Sequence, residues 1–185
     1  MVEIYRTDQQ VLNTMTDIQD GCWINMVDPT SKELEQIAER FEIEPEDISS
    51  ALDEEESSRI SLEDGYTVIL VIIASLLRII PRGIVVYIFF SCLTSGVGII
   101  TVCKVDTPII NYFVRNKVKE FSTKKKMRFI YQMLFRSAFV YQANLRLIDK
   151  KRIEIEERVD GDTSDTDLIE LHELESTLVY FATSL

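Results

Sequence analysis

Between Gly83 and Cys103 the chain carries no charged side chain, and residues 67–77 carry none either. About 20 consecutive apolar residues can cross a bilayer as a helix, so the longer stretch is either a membrane span or the interior of a sheet. Its composition decides. Val85-Val86-Tyr87-Ile88-Phe89-Phe90 and Val97-Gly98-Ile99-Ile100-Thr101-Val102 are β-branched and aromatic, with Ser91, Thr94, Ser95 and Gly96 between them. Such residues favour a pleated, buried surface, and the small polar residues mark a turn. The pattern predicts two buried strands joined by that turn. Tyr66 to Ile73, behind the turn signal Glu63-Asp64-Gly65, predicts a third.

Val2–Tyr5 and Cys22–Val27 read as two further short strands. Thr30 with Glu33 three residues later forms a capping box, in which each side chain satisfies the other's free amide. Leu34, Ile37, Ala38 and Phe41 then give the helix one apolar face. Pro45 fits the first turn of a second helix ending near Asp53, with Glu46 and Asp47 complementing its dipole. Asp106-Thr107-Pro108 opens a third, through Ile109, Ile110 and Phe113 to about Asn116.

From Lys124 one long helix is predicted, with Met127, Tyr131, Leu134, Ala138, Tyr141, Leu145, Ile148, Arg152, Ile155 and Val159 spaced alternately by four and three. That 3.5-residue period is a coiled-coil seam, interrupted by Arg152. It breaks at Asp160-Gly161-Asp162-Thr163-Ser164-Asp165, and a last helix carries Leu168, Leu171, Leu174, Leu178, Phe181 and Leu185 on one stripe. Helix, tight polar turn and helix make an antiparallel hairpin. The expected division is an α/β domain over residues 1–122 and a long-helix hairpin over 123–185. The stripe reaches Leu185 with no glycine cap, proline or polar tail, so a longer protein is expected. The N-terminus lacks the cationic start and apolar core of a secretory signal, and none is expected.

Charge narrows the function classes. With 31 acidic and 20 basic residues the formal net charge is −11, whereas a nucleic-acid-binding surface needs positive potential to replace counterions. No nucleic-acid partner is expected. The acidity fits solubility, or a surface that attracts cations. Cys22, Cys92 and Cys103 have no metal-ligand spacing, sit among apolar residues and point to a reducing compartment. There is no phosphate loop, no nucleophile–base pair and no zinc spacing. The single histidine, His172, stands beside Glu170 and Glu173 on the last helix, where a solvated position is the expectation. Enzymatic function is not expected.

Two acidic groups and one basic run remain. Asp53-Glu54-Glu55-Glu56 offers the hard oxygen ligands that magnesium and calcium prefer, although four successive acids cannot all face one ion. Asp160 to Asp167 has acids at alternating positions but lacks the glycine and closing glutamate of a calcium loop. Lys117, Lys119, Lys124, Lys125, Lys126 and Arg128 read as the solvated start of the long helix, or as a face for anionic headgroups.

The motifs Trp23-Ile24-Asn25, Asp28-Pro29-Thr30 and Leu52-Asp53 through Arg59-Ile60 resemble the cytoplasmic N-terminal domain of the CorA family of magnesium and cobalt channels. The resemblance continues, in the family's order, through the Tyr66 strand, the Ile99–Val102 strand, the Tyr131–Asp149 helix and the helix hairpin. It implies a mixed β-sheet sandwiched between helical layers, with the antiparallel hairpin appended. It further implies the cytosolic part of a cell-membrane protein, in which five copies form a funnel whose stalk continues into two membrane spans. The family's Gly-Met-Asn signature does not occur here, which implies that the pore lies outside these residues. By resemblance, this part senses Mg2+, or Co2+ or another divalent cation, through ions held between neighbouring subunits. The family's acidic pair falls on Ser49 and Ser50, a further acid falls on Phe135, and the stalk acid lies beyond Leu185. The expected ligands are therefore Glu46, Asp47 and Asp53, while Leu52-Asp53 and Arg59 are expected to hold the fold. The alternative is a soluble interaction or scaffold domain without metal sensing.

Overall fold

The computed structural model describes the chain apart from residues 54–55, 81–82, 95–97, 160–164 and 184–185, and describes the backbone alone for 72–80, 83–94, 159, 165–167, 180–181 and 183. Strands β1 (Val2–Asp8), β2 (Val11–Met15), β3 (Cys22–Val27), β4 (Arg59–Leu62), β5 (Tyr66–Ile80), β6 (Gly83–Thr94) and β7 (Gly98–Cys103) form one sheet in the order β2-β1-β3-β7-β6-β5-β4. β3 and β7 run parallel and the other neighbours antiparallel. The described residues of the charge-poor stretch are thus sheet, as its composition predicts. Among the described residues no helix is long and apolar enough to cross a membrane.

Alternation along the central strands assigns the two faces. Cys22, Ile24 and Met26 of β3, Ile100 and Val102 of β7, and Tyr66, Val68 and Leu70 of β5 share one core. Helices α1 (Ser31–Phe41) and α2 (Pro45–Ser49), continued by a 3-10 turn over Ser50–Leu52, cover that face with Leu34, Ile37, Ala38, Ile48 and Ala51. The intervening residues Trp23, Ile69 and Ile99 point the other way, into a second core with α3 (Pro108–Val114) and the start of α4 (Lys126–Val159). The mixed sheet is therefore sandwiched between helical layers.

Trp23 centres the second core. Its ring centroid lies 5.1 Å from those of Tyr5 and Phe129 and 6.3 Å from that of Phe121. Its indole Nε1–H donates to Thr101 Oγ1 at 2.8 Å, and that hydroxyl donates to Asn25 Oδ1 at 2.9 Å. A buried indole needs such an acceptor, so Trp23 and Asn25 are both satisfied through a threonine on the neighbouring strand.

Several boundaries differ from the sequence reading. β1 continues to Asp8 and turns back into β2, which the sequence pattern does not announce. The turn residues Gln9 and Gln10 have φ of 46° and 68°, the geometry usually given to Asn-Gly. β5 and β6 extend well beyond the expected strands, and β7 is described from Gly98, with Val97 outside the described residues. The expected turn at Ser95 and Gly96 lies outside the described residues.

The long helix has a different buried face at its start. Met127 and Tyr131, expected in the seam, are 56% and 66% exposed, and Phe129, Ile130 and Met133 are buried instead. A coiled-coil seam presupposes a helical partner, but this half of α4 packs on a sheet, which favours a broader stripe. From Tyr141 the expected seam holds: Tyr141, Leu145 and Ile148 pack with Leu174 of α5 (Asp165–Thr183). Lys151 and Arg158 both pair with Glu170, closing an antiparallel helix pair. Arg152, the break in the seam, pairs with Asp149 and Glu156 on its own helix. On α5, Leu168 and Leu178 are exposed rather than packed, and Thr177 is buried. The side chain of Phe181, the residue Leu185 and the Asp160–Ser164 turn lie outside the described residues.

Candidate functional site

The acidic start of α2 is tied to the sheet by one phenol. Tyr66 opens β5 with its side chain on the α1–α2 face. Its hydroxyl donates to Asp47 Oδ2 at 2.7 Å and accepts from the backbone N–H of Glu44 at 3.2 Å. Glu44 is the N-cap of α2 and makes no side-chain cap, so the tyrosine satisfies a helix-start group that an N-cap side chain leaves open. Burial, together with the Asp47 carboxylate beside it, pushes the Tyr66 phenol up to about 12.

Asp47 faces a second partner across the loop. Arg59, which opens β4, lies 3.7 Å from Asp47 Oδ1 and 2.8 Å from Glu56 Oε2. The Ser57 amide, and then Arg59, hold the Glu56 carboxyl below its ordinary range. Asp47 is thus engaged on both oxygens within the chain. Glu46, in the same first turn, is exposed, as is Asp53 at the end of the 3-10 turn. Ser49 and Ser50 donate back to the carbonyls of Glu46 and Asp47, at 3.1 and 2.8 Å.

The three expected ligands therefore lie on one short helical segment, with Asp47 turned to the sheet and Glu46 and Asp53 to solvent. Among the described residues no group of three or more His, Cys, Asp or Glu side chains is arranged to hold a metal ion. Glu54 and Glu55 lie outside the described residues, as does most of the acidic turn from Asp160. The sequence reading did not foresee that Tyr66 would engage Asp47. Only the tertiary fold brings them together, across 19 positions of sequence.

The remaining candidates take unremarkable places. His172 is exposed, with Nδ1 3.6 Å from Glu175. Cys22 and Cys103 are buried free thiols at opposite ends of the β3–β7 pair. Burial raises both thiols, Cys103 to about 12. The side chain of Cys92 lies outside the described residues. Of the basic run, Lys117, Lys119, Lys124 and Lys125 are exposed, and Arg128 pairs with Glu120. Phe135 is 76% exposed in a row with Met127, Tyr131 and Phe139, and an apolar ring offers a cation no oxygen.

The chain matches, over residues 19–185, the family described as CorA-like Mg2+ transporter protein. No curated protein matches it. Among solved structures it is similar to the soluble domain of CorA from Methanocaldococcus jannaschii, with a TM-score of 0.83 and 18% identity over 100% of this chain and 74% of that one. The complete CorA magnesium transporter of the same organism matches with a TM-score of 0.81 and 18% identity, over 100% of this chain and 59% of that one. The ZntB cytoplasmic domain from Vibrio parahaemolyticus RIMD 2210633 matches with a TM-score of 0.70 and 12% identity, over 98% of this chain and 72% of that one. At these identities the shared property is the fold. The chain spans about three fifths of the complete transporter.

Proposed function

Because this chain belongs to the CorA-like Mg2+ transporter family, we propose that it is the cytosolic, ion-responsive part of a divalent-cation transporter whose pore lies outside these residues. The observation that carries the reading is the superposition of the whole chain on the soluble domain of a CorA protein. The responsive ion is Mg2+, with Co2+ or another divalent cation as the alternative, and the working assembly is a homopentamer at the membrane face of the cytosol. The family is one of transporters, which agrees with a chain that carries no catalytic constellation in its sequence.

Among the described residues, none are arranged as a closed Mg2+ cage within one chain. Mg2+ demands near-octahedral oxygen geometry, keeps several waters and commonly takes only one or two carboxylates. Asp47 is partly buried beside Tyr66 and Arg59, whereas Glu46 and Asp53 are exposed, and that exposure makes them the side chains that would hold a hydrated ion, shared with a second copy. A divalent ion between two chains, each of formal net charge −11, offsets their repulsion and favours the assembled state.

Thermal unfolding with and without millimolar MgCl2, against NaCl at matched ionic strength, tests this reading. A ligand that binds only the native or assembled state raises the midpoint, and a rise specific to divalent ions is the expected result. Equal response to both salts contradicts ion sensing. One observation favours the second reading, an interaction domain without metal sensing: exposed Met127, Tyr131, Phe135 and Phe139 form an apolar row along α4. Self-association independent of divalent ions is the result that reading predicts.

A further inference from the structure

Where α3 meets α4, a cavity of about 390 Å3 opens between Asp106, Asn111, Tyr112, Arg115, Lys117 and Arg136. Three of these side chains are cationic and one is anionic, in a chain whose net charge is −11. The lone carboxylate is taken up locally, since Asn111 Nδ2 donates to Asp106 Oδ2 at 2.7 Å.

Arg136 is the unusual member. Its guanidinium carbon lies 4.1 Å from the Tyr112 ring centroid and 5.0 Å from that of Phe139. Its Nε is buried and has no hydrogen-bond acceptor. Among the described residues Arg136, Arg115 and Lys117 make no ion pair. Ring contacts fix the plane of a guanidinium but leave its charge and its donors unanswered. A buried donor without an acceptor calls for a reason, and the half-buried guanidinium has no counter-charge beside it. An oxyanion in the cavity answers both. The planar fork of arginine suits phosphate, donating to two of its oxygens at once, and Arg115 and Lys117 add charge to the lining. Cations and carboxylate together leave a local excess that a dianion matches better than a monoanion.

We propose that this cavity is a binding site for a phosphate-bearing dianion, either free in solution or displayed as a phosphomonoester headgroup on a lipid. The volume falls within the range of about 300–1,000 Å3 typical of small-molecule sites, so an organic group attached to the phosphate has room. Arg136 holds the phosphate oxygens, and Arg115 and Lys117 attract and retain it. The site is distinct from the acidic surface of α2 and stands or falls independently of cation sensing.

Isothermal titration of the chain with inorganic phosphate, at constant ionic strength set by NaCl and without divalent ions, tests the proposal. A second arm measures binding to vesicles containing phosphatidic acid, with phosphatidylglycerol vesicles as the monoanionic control. Saturable binding in either arm is expected, and the arm that responds identifies the source of the phosphate. R136Q should weaken it by about tenfold or more, and R136K, which keeps the charge but loses the fork, by less. R115Q/K117Q alters only exposed side chains and should weaken binding several-fold while leaving the unfolding midpoint unchanged. The proposal is overturned if neither arm shows binding beyond the chloride and phosphatidylglycerol controls, or if R115Q/K117Q and R136Q bind as the parent chain does.

Discussion

The Tyr66 hydroxyl lies 2.7 Å from Oδ2 of Asp47, so that the first residue of a central strand holds the first turn of the acidic helix facing it. The Tyr66 hydroxyl oxygen also accepts from the Glu44 amide, and the phenol therefore sets both the start of α2 and the direction of the Asp47 carboxylate. Glu46 is left on the solvent side as a consequence of where Asp47 is held.

Tyr66→Phe removes this bridge and leaves Asp47 with only the more distant Arg59. Loss of a hydrogen bond to a charged group costs about 1.5–3 kcal/mol, measurable as a lower urea midpoint at neutral pH. The folded phenol titrates at about 12, above its ordinary value of 10.0. A raised folded pKa stabilises the chain below the unfolded value, and that contribution is lost as pH rises through the folded one. The stability gap between the parent and Tyr66→Phe should therefore narrow between pH 10 and about 12.

Gly98→Ala should be among the most damaging single-methyl substitutions. Gly98 has φ +129°, and a Cβ there would lie 1.9 Å from the Cys22 carbonyl oxygen. This is the first rung of the parallel β3–β7 ladder, so relief requires separating the two central strands. A loss of at least about 2 kcal/mol is expected from the strained backbone and the clash together. Chemical denaturation checks it, and a change under about 0.5 kcal/mol, the range of neutral surface substitutions, contradicts the close approach.

Trp23→Phe removes the donor to Thr101 and part of the aromatic centre of the second core. A loss of about 2–4 kcal/mol is expected from the cavity and the broken Trp23–Thr101–Asn25 chain. Since Trp23 is the only tryptophan, its own emission should be blue-shifted in the folded parent chain and should red-shift cooperatively with unfolding.

Thr30→Ala breaks the side-chain half of the capping box, in which Thr30 Oγ1 accepts from the Glu33 amide at 3.3 Å, and leaves the residue-30 amide, which donates to Glu33 Oε2 at 2.8 Å. A cost of about 1 kcal/mol is typical. A urea midpoint unchanged within error would mean that α1 is held by its packing alone.

The buried central strands were legible because the apolar runs at Cys22–Val27 and Ile99–Val102 are a local property of each strand. The capping box at Thr30 and the proline start at Pro45 were legible for the same reason. The β1–β2 hairpin was not, because Gln9-Gln10 adopts positive φ without the residues that usually announce it. The buried face of α4 before Tyr141 depends on its partner being a sheet, which no helix periodicity reports. At the candidate site, Glu46, Asp47 and Asp53 could be named from sequence, but their different exposures follow from Tyr66 and Arg59, which meet Asp47 only in the folded chain. Arg136 was hidden in the same way, since its ring partners Tyr112 and Phe139 come from two different helices.

Ion sensing is tested most directly by sedimentation velocity of the chain against MgCl2 at fixed ionic strength, alongside the E46Q/D53N variant. Both substituted residues are exposed, and the urea midpoint of the variant, measured alongside, checks that it folds as the parent does. The account predicts that millimolar Mg2+ shifts the parent to a larger species, that NaCl does not, and that E46Q/D53N loses the shift. An identical response to Mg2+ in parent and variant, or none beyond that to NaCl, would contradict it.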